Sequence, residues 1–319
     1  MTRARPFRFG VFGEHARSRE ALLGTARRAE DAGYSTFLIR DHFIVEPFGH
    51  QLAPLAALTA VAGATNGLRV GSLVLSNDYR HPVMLAKEIA TLDVLSNGRV
   101  ELGLGAGFSK AEYDRAGIPF DPPGIRVDRL EEAIHVLKGL FGEGPLTFAG
   151  KHYVVTNLDG FPKPAQRPRP PLLIGAAGKR MLSIAAREAD IIGFQTVSTA
   201  HGTMADDPSG RLAPVVAQRV EQVRQVAGER FREIELSMVA TVVFTEARRQ
   251  AAEQLAHDRG WKDIASEQVL DMPSVFIGSL DHIVDEMRAR RERYGFSYYV
   301  VLDDAMEKVT PIVARLAGT

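Results

Sequence analysis

The chain has 319 residues, 45% hydrophobic and 24% charged, with 39 Lys and Arg against 39 Asp and Glu. This composition supplies apolar material for a large core, and the zero net charge excludes a general attraction to nucleic acid or to an anionic membrane, so recognition must be local. With no cysteine, disulfides, thiolate metal sites and cysteine nucleophiles are excluded; no signal-peptide hydrophobic region and no apolar run of membrane-span length is present, so a cytoplasmic protein with no membrane partner is expected.

In chain order, Phe7 to Phe12 reads as a strand ending at Gly13, and Arg19 to Ala32 as a helix whose apolar positions Ala21, Leu22, Ala26 and Ala29 recur at helical spacing before Gly33 stops it. Thr36 to Ile39 is a second strand, Ala53 to Ala64 a helix closed by Asn66-Gly67, Arg69 to Leu75 a third strand, Met84 to Leu95 a helix closed by Asn97-Gly98, and Val100 to Leu104 a fourth strand. The second half predicts a helix over Asp128 to Phe141, a Pro-rich connector from Pro162 to Pro171, strand Leu172 to Ala176, helix Arg180 to Ala189 and strand Asp190 to Phe194. Glu235 to Phe244 then reads as a seventh strand and Tyr298 to Leu302 as an eighth.

Unbroken Val, Ile and Leu runs joined by helices describe parallel strands covered on both faces. Eight of them predict a single α/β domain over residues 1–319, a (β/α)8 TIM barrel with insertion segments at its C-terminal rim. A doubly wound open sheet is the other architecture, but the first turn, Phe12-Gly13-Glu14, lacks its G-x-G-x-x-G fingerprint. Two irregular stretches, Phe108 to Val127 and Gln195 to Leu212, follow strands and so belong to the catalytic rim as lids or binding walls.

Side chains at the carboxyl ends of barrel strands point into the active site. The second strand ends in Arg40-Asp41-His42, a histidine suited to proton transfer beside a carboxylate that orients it, or else a loop cap. Glycines two apart in Gly103-Leu104-Gly105-Ala106-Gly107 strip one strand face of side chains; a flat ring fits there, as does close backbone packing. Gly175-Ala176-Ala177-Gly178-Lys179-Arg180 opens directly into a helix, which suits a phosphate bound by free amides and two cations, or a plain tight turn. Ser76 and Asn77 are polar rim groups whose default role is helix capping. Arg288 to Arg293 reads as a solvated helix face, and with neither G-x-S-x-G nor H-E-x-x-H present, no metal site is expected.

Taken together, the Asp41-His42 strand end, Gly71 to Leu75 before a Pro-initiated helix, Ser96-Asn97-Gly98-Arg99 before the glycine strand, and Ile174 to Gly178 resemble the luciferase-like monooxygenase superfamily along nearly the whole chain. Asp41-His42-Phe43 and Phe120 to Gly124 are similar to the branch that uses coenzyme F420, a deazaflavin. The resemblance implies an F420-dependent oxidoreductase transferring hydride between C5 of the deazaflavin and a small organic substrate. In it His42 faces the ring and handles the proton, and Asp41 helps position ring and histidine. A bulge with a cis peptide at Leu73-Val74 backs the ring, Ser76 touches its edge, and Gly107 and Phe108 border it. Ala176, Ala177 and Gly178 form the phosphate end, with Phe194 and Gln195 completing the pocket. Sugar-phosphate dehydrogenases of this group place a catalytic Glu directly after the last glycine; Phe108 stands there instead, which implies a more hydrophobic substrate. A homodimer is usual in the family. The alternatives are an FMN-dependent monooxygenase that uses oxygen and flavin supplied by a reductase, a non-catalytic flavin-binding barrel, and a metal-dependent barrel hydrolase.

Overall fold

The apolar runs form eight parallel strands: β1 (Arg8–Phe12), β2 (Thr36–Ile39), β3 (Arg69–Ser72), β4 (Val100–Gly105), β5 (Leu172–Ala176), β6 (Ile191–Phe194), β7 (Glu235–Val239) and β8 (Phe296–Leu302). The computed structural model describes residues 5–197, 199, 202–204 and 206–319. Each strand pairs with the next, and β8 returns to β1 with Arg8 opposite Tyr298, so the sheet closes without an edge into a (β/α)8 barrel. The helices are α1 (Arg19–Asp31), α2 (Pro54–Ala64), α3 (Pro82–Leu95), α4 (Lys110–Ala116), α5 (Pro123–Phe141), α6 (Lys179–Glu188), α7 (Ala213–Ala227), α8 (Arg248–Asp258), α9 (Ser266–Leu270), α10 (Leu280–Tyr294) and α11 (Met306–Leu316). Their buried stripes, such as Leu22, Leu23, Ala26 and Ala29 of α1, join the outward strand residues Phe9, Val11, Phe37 and Ile39 in the main core. None of these described helices is long and apolar enough to cross a membrane.

Period-two alternation sends the other strand residues into the barrel. Phe12, Leu38, Leu173, Ile191, Tyr298 and Val300 form a separate interior cluster. Beneath it Glu101, 2% exposed, accepts from Arg8 at 2.6 Å and Arg69 at 2.7 Å, closing the amino-terminal end. Burial pushes the Glu101 carboxyl up, but the two guanidiniums outweigh it and hold the group below the usual carboxylate range. A depressed folded value contributes stability that is complete above the unfolded pKa, about 4.3, and is lost as pH falls through the folded one. The thermal unfolding midpoint is therefore expected to drop on acidification below about pH 4. Glu101→Gln should lower the neutral-pH midpoint and flatten that acid slope; an unchanged slope by calorimetry would remove Glu101 from the linkage.

Several segments depart from the expected pattern. The strand expected from Arg69 to Leu75 breaks after Ser72 and resumes as Leu75–Ser76, while the cis peptide that the resemblance implied at Leu73-Val74 is present between the two pieces. The stretch expected as one strand from Glu235 to Phe244 divides at Ala240: beyond it Thr241–Phe244 leaves the barrel and pairs in parallel with Val275–Gly278. This insertion between β7 and β8 has its own small core around Trp261, Val269, Met272 and Ile277. Phe108 to Val127 is not irregular throughout. Gly117, at a φ of 70°, ends α4, and α5 starts at Pro123 rather than Asp128 because proline at the first helical position needs no amide partner. A hairpin, Leu146–Ala149 with Val154–Leu158, follows α5. Arg290 is not on a solvated face: it is 7% exposed, lies over Phe276 and donates to the Val275 carbonyl.

Candidate active site

A cavity of about 540 Å³ opens at the carboxyl ends of the strands. Asp41, His42, Leu73, Val74, Ser76, Gly107, Phe108, Ala177, Gly178, Phe194 and Gln195 all line it. Of the expected site residues only Ala176 does not; its side chain is buried in the main core, and its carbonyl accepts from the Gln195 amide at 2.9 Å.

The back wall is made by the break in the third strand. Val74 stands where side chains on Gly105 and Gly175 would be, its methyls 2.7 and 3.3 Å from the positions of those absent Cβ atoms. Leu73 holds the same relation to Gly193, at 3.2 Å. The glycine spacing in β4 therefore serves the packing role first: it seats the bulge, and the bulge forms the cavity wall. Gly107 combines a φ of 72° with a site where a Cβ would strike the hydroxyls of Tyr113 and Ser76, so two independent constraints require glycine.

Asp41 is 4% exposed and holds the architecture rather than the histidine. Its carboxylate receives Arg80 at 2.5 and 3.2 Å and the Ser76 amide at 3.1 Å, tying the end of β2 to the exit of the bulge. The orientation of His42 expected from Asp41 falls instead to Glu112 on α4, whose Oε2 lies 3.0 Å from His42 Nδ1. Glu112, 1% exposed, also receives the amides of Phe43 at 2.5 Å and Ile44 at 3.2 Å and the Tyr79 hydroxyl at 3.2 Å. Burial raises its carboxyl, but the hydrogen bond from His42 and those from the two backbone amides prevail and keep it below the ordinary value, hence ionised. His42 is flanked by Phe48, stacked at 4.5 Å, and by Phe108, edge-on at 5.8 Å.

Glu14 and Arg40 form a second ion pair in the cavity wall, and Arg40 lies between the rings of Phe12 and Phe48, 4.2 Å from each. Burial, with help from Asp303, lifts the Glu14 carboxyl above its usual range against the pull of Arg40. At the outer mouth, Asp206 receives Arg211 at 2.8 Å and Arg259 at 2.9 Å, and both arginines flank the single tryptophan, Trp261. Residues 198, 200, 201 and 205 of the Gln195 to Leu212 stretch lie outside the described residues.

At the other end Ala177 and Gly178 lead into α6, whose N-cap, Gly178, offers no side-chain cap. The first-turn amides thus donate to no capping side chain. Arg180 does not serve there. It pairs with Asp128 and Glu131 on α5.

Glu112, Glu14, Phe48 and Arg211 are site residues the sequence reading missed. Glu112 sits 70 positions from His42, in a segment taken as irregular, and no local spacing marks it. Glu14 had a readable signal, being the first residue past the turn that ends β1.

A family model described as luciferase-like monooxygenase matches residues 5–298. An F420-dependent glucose-6-phosphate dehydrogenase of Nakamurella multipartita is 29% identical over 315 residues, 96% of this chain and 86% of that one. A relative of the same name from Amycolatopsis mediterranei is 30% identical over 220 residues, 68% of this chain, and the match spans only 64% of that protein's length. In fold, the coenzyme F420 dependent tetrahydromethanopterin reductase of Methanopyrus kandleri superposes with a TM-score of 0.75 at 20% identity, covering 98% of this chain and 99% of that one. The chain belongs to the luciferase-like monooxygenase family.

Proposed function

We propose that this protein is an oxidoreductase that uses coenzyme F420 to oxidise or reduce a small, largely apolar organic substrate, with His42 handling the proton. The carrying observation is convergence: the His42 strand end, the Leu73-Val74 wall and the uncapped start of α6 open on one cavity. Relatives named as F420-dependent dehydrogenases support the choice of cofactor.

The residues fit a flat ring bearing a phosphate. Val74 and Leu73 form a side-chain wall seated on three glycines, and the amides beginning α6 have no competing cap. Leu73, Val74, Ser76 and Gly107 would hold the ring, and Ala177 and Gly178 its phosphate. When bound, the deazaflavin supplies a carbon centre that gives or accepts hydride. His42 takes the hydroxyl proton of an alcohol, or returns it to a carbonyl oxygen, through Nε2, which has no protein partner among the described residues. The rings of Phe48 and Phe108 beside the imidazole favour an apolar substrate.

Titration of the purified protein with coenzyme F420 and, separately, with FMN is the test. F420 is expected to bind and to perturb the emission of Trp261, which is 7% exposed between two arginines of the cavity lining. Tight binding of FMN alone would replace this reading with that of an FMN-dependent monooxygenase.

A further inference from the structure

We propose that Glu112 is a positioning residue that fixes the tautomer of His42, holding the ring proton on Nδ1 and presenting a bare Nε2 to the cavity. The inference rests on the role given to His42 above.

An ionised carboxylate only accepts hydrogen bonds, so each of its partners must donate. Three of the four contacts of Glu112 are donors by chemistry or by bonding: the amides of Phe43 and Ile44 at Oε1, and the Tyr79 hydroxyl at Oε2. The fourth, Nδ1 of His42 at 3.0 Å, must then carry its hydrogen, and in the neutral ring Nε2 carries none. Among the described residues no other carboxylate contacts the ring. Asp41 is taken by Arg80 and Ser76, and Glu14 by Arg40. Stacking on Phe48 fixes the ring plane, leaving the tautomer as the variable that Glu112 decides. The chemical consequence is direct: a ring with bare Nε2 can accept a hydroxyl proton, and one with Nε2–H cannot.

Glu112→Gln should reverse the arrangement rather than merely weaken it. The amides of Phe43 and Ile44 still require an oxygen at the Oε1 position, so the glutamine must place its NH₂ against Nδ1. That group donates to Nδ1 and drives the neutral ring's proton to Nε2.

The test is ¹⁵N NMR of histidine-labelled, cofactor-free protein at a pH where His42 is neutral, with assignment by the His42→Gln variant. The wild type is expected to show the Nδ1–H ring and Glu112→Gln the Nε2–H ring. With coenzyme F420 and an active alcohol, Glu112→Gln should lose about 10²- to 10⁴-fold in kcat with a smaller change in KM. An Nε2–H ring in the wild type overturns the proposal without recourse to any variant, and an Nδ1–H ring retained in folded Glu112→Gln overturns it as well. Because ring shifts are read without cofactor, failure to bind coenzyme F420 would instead refute the function proposed above.

Discussion

Replacing His42 with alanine is expected to lower turnover about 10²- to 10⁴-fold, the usual contribution of a positioned general acid–base, while affinity for coenzyme F420 changes by no more than a few-fold. The separation follows from where the two tasks reside. In the proposed reading the ring lies against Leu73 and Val74 on their glycine seats and the phosphate at the start of α6, neither of which depends on the imidazole. His42 lies at the end of β2, held by Glu112 and covered by Phe48 and Phe108. Cofactor titration by fluorescence and steady-state kinetics at saturating cofactor measure the two effects independently. Unchanged turnover in the variant would remove His42 from proton transfer, and a parallel collapse of cofactor affinity would make it a binding residue.

A methyl group at position 103 should damage the barrel itself. The Cβ of Gly103→Ala would stand 1.8 Å from the Ser72 carbonyl oxygen and 2.8 Å from its carbon, both backbone atoms with no rotamer to escape into. The position is crowded because the ladder between β3 and β4 lapses at the bulge. Pairing runs through Val70 with Val100 and Gly71 with Glu101, and resumes only at Leu75 with Leu104. In the gap the Ser72 hydroxyl donates to the Gly103 carbonyl at 2.9 Å and accepts its amide at 3.1 Å. Forcing these strands apart should cost about 3 kcal/mol or more, about 5 °C or more in Tm, and should weaken F420 binding because the wall moves. Gly63→Ala is the internal control: Gly63 lies in α2 with nothing within 4 Å of its absent Cβ, so alanine there should be neutral or stabilising. Equal Tm values for the two variants would refute the steric argument.

The glycines of β4 show how far a linear reading reaches. Their spacing of two marked one bare face of a strand, and that much is a property of the extended chain. Whether the face met a ligand or another piece of backbone depended on the third strand's break, which local pattern placed inside a continuous strand. The same limit applies to Asp41. Adjacency suggested that it orients His42, but neighbouring residues at a strand end diverge, and Asp41 turns to Arg80 and Ser76. Arg180 follows α6 towards α5 for a comparable reason, and Arg290, inside a run of charges, faces inward because one side of α10 packs on Phe276.

The sequence by itself determined the βα alternation, the barrel, the strand-end placement of His42 and the small-residue turn before α6, because these follow from hydrophobic periodicity, turn chemistry and motif, all short-range properties. Only the tertiary structure decided which carboxylate holds His42, what the glycine face packs against and which cations reach the cavity. Those depend on contacts between segments tens of residues apart, where closure of the barrel, not local preference, selects the partner.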